Sequence, residues 1–289
     1  MTNPKFATVA VLGAGAMGRG IAQVAATQGS RVALLDATLE RAEVARDAVD
    51  GALQRQVEKG KLDSARHQEI IARIEATDDR AIAVREADVV VEAAPEDLAV
   101  KRAIFAALAK EAPPHALLGS NTSSLSITAI AQGCGAEARV IGLHFFNPVP
   151  VMALLEVVKG QRTSEGTIAA ARAFAAYLGK DAILVTDTPG FATSRLGVLL
   201  GLEAMRMLEQ GVASAADIDK AMELGYRHPM GPLRLTDLVG LDVRLAIAEH
   251  LHAELKSAAF EPPAILRELV KAGKLGRKSG AGFYRYEQA

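Results

Sequence analysis

Three closely spaced glycines, Gly13, Gly15 and Gly18 in the run GAGAMG, stand directly after the apolar stretch FATVAVLG and ahead of the helical pattern GRGIAQVAATQG. This order leaves few folds open. A glycine turn between a buried strand and a helix serves three needs: a tight turn, close backbone approach to an anion, and close packing of the helix on the strand. The helix amino terminus adds unpaired amides and the positive end of its dipole at the same point. Alone, GxGxxG is a weak signal. Here it sits in the strand-turn-helix context, and Asp36 follows 18 residues after Gly18, at the end of a second apolar run, RVALLD. The combination predicts a dinucleotide site with Asp36 accepting hydrogen bonds from the adenosine ribose. Its charge would repel a 2'-phosphate, which favours NAD over NADP. Ala37 offers no arginine for such a phosphate, and Arg41 reads as a solvated helix residue. Taken singly, the glycines would also serve as turn formers and Asp36 as a helix cap.

The first half continues the same alternation. ADVVVEAAP, HALLGSN and ARVIGLHFF follow as further short runs rich in Val, Leu and Ile, separated by helical patterns, which predicts a parallel sheet with crossover helices. From Leu39 to Gly60 a long amphipathic segment carries arginines and lysines on its polar side, and ARHQEIIARI reads as the second arm of a helical hairpin. After about residue 186 strand-like runs disappear. Pro189 reads as the first residue of a long helix ending at Gly211, and Ser214 with Asp217 reads as a capping box opening a helix that stops at Gly225. The fold class expected is therefore α/β. A Rossmann-like dinucleotide-binding domain with a helical hairpin insertion (residues 1–186) precedes an all-helical C-terminal domain (residues 187–289), small enough for oligomerisation to complete its core.

Composition excludes several classes of function. Lys and Arg total 33 against 34 Asp and Glu, so no global field draws nucleic acid, and an anionic ligand must be held locally. The apolar runs break within about ten residues, short of the roughly 18 a membrane-spanning helix needs. Cys134 is the only cysteine, so no intrachain disulfide forms and no cysteine cluster awaits a metal. The amino-terminal residues lack the pattern of a transit or signal segment. A cytoplasmic location is expected.

His144 ends an apolar strand in GLHFFNPVPVM, and Glu156 lies twelve residues on, inside the apolar run ALLEVV. Asn147, Pro148 and Pro150 suggest a turn that returns the second run beside the first. A carboxylate within LLEVV is costly to bury alone, so an ion pair with the imidazole is expected. Such a pair would orient the ring and stabilise its protonated form, as a general base in alcohol oxidation requires. Spacing leaves a purely structural histidine equally open.

At this point the chain resembles the 3-hydroxyacyl-CoA dehydrogenase family, especially its short-chain bacterial 3-hydroxybutyryl-CoA members. The matching stretches are VLGAGAMGRGIA, VVVEAAPEDLAVK, SNTSSLSIT, GLHFFNPVPVMALLEVV, DTPGF, PMGPLRLTDLVGLD and GRKSGAGFY, in the family's order and across nearly the whole chain. The resemblance implies reversible NAD-dependent oxidation of an L-3-hydroxyacyl-CoA, an acyl-CoA thioester, to the 3-ketoacyl-CoA. His144 would take the hydroxyl proton as hydride leaves C3, and Glu156 would hold the imidazole. Ser123 in SNTSS would hydrogen-bond the reacting oxygen, although serines there also cap helices. Glu96 in APED matches a family glutamate near the cofactor, with Lys101 in the same region.

One position departs from the pattern. The family reads DTPGF, two variable residues, then Asn-Arg, whereas this chain has Ser194 before Arg195. Serine keeps a donor and an acceptor but is shorter, so a contact to the substrate oxygen would be lost, become water-mediated, or give way to a different acyl group. Arg55, Lys59 and Lys61 end the amphipathic segment, where the family's hairpin approaches the nucleotide end of CoA; they also suit an ordinary solvated face. The resemblance further implies a homodimer built through the C-terminal domain. Two other readings stay open: a dehydrogenase of a free hydroxy acid or sugar acid, and a catalytically weakened NAD-binding protein.

Overall fold

The computed structural model describes residues 6–287. Its backbone divides between Thr188 and Pro189 into two compact units. The first is built on an eight-stranded sheet in the order β3-β2-β1-β4-β5-β6-β7-β8, and all neighbours are parallel except β6 and β7. β1 (Thr8–Leu12), β4 (Val89–Glu92), β5 (Leu117–Ser120) and β6 (Val140–Phe145) are buried along almost their whole length. Helices on both faces explain this, and it is why these strands read as continuous apolar runs. α1 (Ala16–Thr27) crosses from β1 to β2 (Arg31–Leu35), which carries Asp36 just beyond its end.

The hairpin is α2 (Leu39–Glu58) and α3 (Ser64–Ile71), capped by the side chains of Thr38 and Asp63. Buried His67 on α3 pairs with Asp50 on α2 at 2.5 Å and ties the two arms. The expected second arm is shortened. Arg73 already breaks from the helix, and Ile74 opens β3 (Ile74–Thr77), because Ile74 fills the core beside Val32 of β2. α4 (Arg80–Val84) and α5 (Leu98–Glu111) flank β4, and α6 (Ile127–Ala131) follows β5. β7 (Leu154–Lys159) returns antiparallel to β6, and α7 (Glu165–Tyr177) leads to β8 (Asp181–Thr186) at the sheet edge. The run DAILVT lacks the buried signature because β8 is paired on one side only and is half-exposed.

The second unit is helical: α8 (Thr193–Glu209), α9 (Ala215–Gly225), α10 (Pro232–Val239), α11 (Leu241–Leu255) and α12 (Ala264–Lys271). Its core gathers Val198, Leu202, Met205, Leu233, Leu251 and Leu266. Pro189 does not open α8. Gly190 and Phe191 adopt positive φ, +76° and +48°, which turns the chain before the helix begins at Thr193. The other signals hold: Gly211 (φ +69°) follows α8, and the Ser214 hydroxyl accepts from the Asp217 amide at 3.2 Å while donating to its carboxylate. Among the described residues no helix is long and apolar enough to cross a membrane.

Candidate functional site

The glycine turn packs as its spacing requires. Gly13 (φ +101°) lies against the backbone of Ala93, and a Cβ on Gly18 would fall 1.8 Å from the Gly13 carbonyl oxygen, so α1 seats on β1 only with glycine at both places. Gly15 differs. A Cβ there would meet no protein atom within 4 Å, so internal packing does not call for the glycine, and the open space lies at the N-cap of α1. That combination fits a pyrophosphate. Asp36 borders it, with Oδ2 accepting from the Ala14 amide at 2.8 Å and Oδ1 from the Ala37 amide at 2.8 Å. Arg41 is not merely solvated: its Nε pairs with Asp36 Oδ1 at 3.0 Å. Thus Asp36 braces the turn it borders and keeps lone pairs for a ribose.

His144 and Glu156 stand directly opposite each other in the β6–β7 register. The imidazole Nδ1 lies 2.7 Å from Glu156 Oε2, with Glu156 wholly buried. A carboxylate accepts, so Nδ1 carries the proton in the neutral ring and Nε2 is left as the acceptor. The ring also packs against Phe146, centroids 4.5 Å apart.

A cavity of about 380 Å³ brings His144 together with Ser123, Glu96, Lys101, Asn121 and Met17. Its walls are braced by a buried network. Glu92, at the end of β4, accepts from Lys101 Nζ (2.6 Å), Ser120 Oγ (2.6 Å) and the Ala94 amide (2.7 Å). Lys101 Nζ also reaches the Ala94 carbonyl at 3.2 Å and Glu96 at 3.4 Å, so this buried ammonium is committed to bracing the loop. Glu96 in turn accepts from the Thr122 hydroxyl (2.6 Å) and the amides of Ser123 (3.0 Å) and Ser124 (3.2 Å). Burial pushes the Glu96 carboxyl up, but the Thr122 hydroxyl, the Lys101 charge and these donors outweigh it and hold it below the usual carboxylate range. The turn bearing Ser123 is therefore fixed by Glu96. Asn121 Oδ1 accepts from the Phe145 amide at 3.0 Å and joins the ends of β5 and β6.

Sequence reasoning missed Glu92, Asn121 and Met17. The argument applied to Glu156, a carboxylate inside an apolar run, would have found Glu92 in VVVEAAP.

Arg55, Lys59 and Lys61 lie elsewhere, on a cavity of about 640 Å³ that also touches Gln23, Leu53 and Lys180. All three are exposed, and none is paired with a carboxylate among the described residues. Lys180 is spent on the Val149 and Met152 carbonyls at 2.6 and 2.7 Å, and burial lowers its pKa. Ser194 lies in the second unit, in the first turn of α8.

Comparison with known proteins agrees across both units. Residues 8–188 match the family described as "3-hydroxyacyl-CoA dehydrogenase, NAD binding domain", and residues 190–286 match "3-hydroxyacyl-CoA dehydrogenase, C-terminal domain". A probable 3-hydroxybutyryl-CoA dehydrogenase of Bacillus subtilis is 45% identical over 97% of both chains. A 3-hydroxyadipyl-CoA dehydrogenase of Escherichia coli is 44% identical over 96% of this chain and 58% of its own length. The crystal structure of (S)-3-hydroxybutyryl-CoA dehydrogenase from Ralstonia eutropha superposes with a TM-score of 0.94 at 40% identity, covering 98% of this chain and all of the other.

Proposed function

The chain belongs to the 3-hydroxyacyl-CoA dehydrogenase family and is an NAD-dependent oxidoreductase of 3-hydroxyacyl-CoA thioesters, and from that premise we propose how its residues divide the work. The observation that carries the reading is the His144–Glu156 pair opening on the cavity that holds Ser123. His144 Nε2 takes the proton of the 3-hydroxyl. Glu156, bonded to Nδ1, keeps the ring in the tautomer whose Nε2 is the acceptor and offsets the charge the imidazolium gains. The Ser123 hydroxyl donates to the same substrate oxygen as it becomes a carbonyl. NAD, when bound, supplies the hydride acceptor. Gly13, Gly15, Gly18 and the α1 amides hold its phosphates and Asp36 its ribose, while Glu96 and Lys101 shape the wall beside it.

The acyl group is short, as in the butyryl relatives, and Ser194 takes the place of the family's asparagine beside it. Arg55, Lys59 and Lys61 meet the phosphates of CoA, which three unpaired exposed cations on one cavity suit. The helical unit exposes Leu196, Leu224 and Tyr226 at 68–76%. Large apolar side chains left this exposed mark association surfaces, and we assign them to a homodimer; sedimentation showing a monomer at micromolar concentration would remove it. A lone buried Cys134, its thiol pKa raised by burial, suits the reducing cytoplasm.

The deciding assay follows NADH consumption with acetoacetyl-CoA, with free acetoacetate alongside and Ser194→Asn in parallel. CoA-dependent turnover by the natural chain is expected. Turnover of free acetoacetate alone would transfer the reading to free hydroxy acids.

A further inference from the structure

The turn that carries Ser123 runs from the end of β5 to the start of α6, and its two halves are held by different groups. Glu96 and Thr122 hold the first half. Glu96 accepts from the Ser123 and Ser124 amides, and the Thr122 hydroxyl oxygen accepts from the Leu125 amide at 2.9 Å. Among the described residues, neither reaches past Leu125.

The second half opens α6, a helix of only five residues. So short a helix does not hold itself together, because its first amides find no partner within it and too few bonds follow to offset the cost of ordering. The missing partners are supplied from outside. The Ser126 hydroxyl oxygen accepts from the Ala129 amide at 3.1 Å. The Ile127 and Thr128 amides go instead to one carboxylate, Asp187, at 3.1 Å to Oδ1 and 2.8 Å to Oδ2, and the Ser126 hydroxyl donates to Oδ2 at 2.7 Å.

Asp187 lies 59 to 61 residues along the chain from these donors, so the sheet sets its place. Its amide donates to the Lys159 carbonyl at 3.0 Å, one step beyond Thr186 in the β7–β8 register. β7 also carries Glu156, the partner of His144. The loop after β7 packs on the same turn: the Gln161 amide donates to the Thr128 hydroxyl oxygen at 3.0 Å, and a Cβ on Gly160 would fall 3.2 Å from the Ile127 side chain. The carboxylate therefore joins the Ser123 turn to the strand pair that places the base.

We propose that Asp187 is a positioning residue for the dehydrogenase reaction: it fixes the α6 end of the turn, so that the Ser123 hydroxyl and the His144 imidazole converge on one substrate oxygen. The inference rests on the role given to Ser123 above. A carboxylate suits the task because it only accepts and takes three donors at once, whereas an asparagine amide would present its own hydrogens to one of them. A donor must lie within hydrogen-bond reach of the oxygen where charge develops, and misplacement by about 1 Å from a remote change costs up to about a hundredfold.

The test is a double-mutant cycle in the full-length protein: the natural chain, Asp187→Ala, Ser123→Ala and the two together, each followed by NADH consumption with acetoacetyl-CoA. NADH affinity is read by fluorescence titration in parallel. Asp187→Ala should lower kcat about tenfold to a hundredfold and leave NADH affinity within about twofold. With Ser123→Ala already in place, the same change should cost less than about twofold, since the hydroxyl it positions is gone. Asp187→Asn, which keeps one oxygen, should regain part of the loss. Equal fold losses with and without the Ser123 hydroxyl overturn the proposal and leave Asp187 a support of the fold alone. So does full activity in Asp187→Ala. Should Asp187→Ala fail to fold, the same cycle with Ser126→Ala decides, because that change removes the hydroxyl bond to Asp187; a loss that persists undiminished without the Ser123 hydroxyl overturns the proposal. Additive losses in an active enzyme defeat this inference alone. An active enzyme indifferent to Ser123→Ala defeats the role of Ser123 with it, and inertness of the natural chain defeats the dehydrogenase reading as well.

Discussion

His144 is useful because its neighbours decide which nitrogen carries the proton. With Glu156 buried and fixed on Nδ1, the ring that lines the cavity has one tautomer, in which Nε2 is the acceptor. His144→Ala should lower kcat by at least about a thousandfold. NADH affinity, read by fluorescence titration, should stay within about twofold, because the adenosine end is held by Asp36 and the glycine turn. Equal losses in both would show that the imidazole holds the cofactor. Lys101 illustrates a different division of labour. It sits on the same cavity, but its donors go to Glu92, Ala94 and Glu96, so it holds the loop that holds Ser123.

The β1-turn-α1 element has the least tolerance in the fold. A methyl group on Gly18 would overlap the Gly13 carbonyl, and neither backbone has room to yield while β1 keeps both β2 and β4 as neighbours. Gly18→Ala should therefore cost about 1–3 kcal/mol in stability, as overpacking does. It should weaken NADH binding more than tenfold, since the amides at the start of α1 move with the helix. Unfolding by urea and an NADH titration check the two effects separately, and unchanged affinity would detach the turn from cofactor binding. The β6–β7 hairpin plays the matching part for catalysis. A one-residue slip in its register would turn Glu156 to the opposite face and strand His144.

Taken together, each unit stands on its own core, the first around the sheet and the second around its helices. The second has a pH limit built into its closing segment. Burial, then hydrogen bonds to Asp219 and Asp237, raise the phenols of Tyr284 and Tyr286 above the ordinary tyrosine value. Folded tyrosines thus keep protons that the unfolded chain releases from about pH 10 upward. Their stabilising contribution is complete below that pH and is lost as pH rises through the raised values. Thermal unfolding followed by tyrosine near-UV dichroism should show Tm falling between pH 9 and about 11, with the fall flattened in Tyr284→Phe. A Tm independent of pH over that window would refute the linkage.

Much of this was legible in the chain because it is encoded within a few residues. The glycine turn, the Asp36 spacing, the Ser214–Asp217 cap and the apolar runs of the central strands each express a local backbone preference or burial on both faces. His144 and Glu156 were legible as a pair, since a carboxylate in an apolar run demands a partner. What remained hidden depends on which distant segments meet. The edge strand β8 carries no buried pattern, Ile74 reads as the end of a helix until it lies beside Val32 in β3, and the bond from Arg41 to Asp36 follows from how the start of α2 sits against the end of β2. Arg244, on α11, is the extreme case. A sequence shows that an arginine is present, but only the packed helices show that it is buried with its Nε unpartnered, because burial and pairing arise among side chains far apart along the chain.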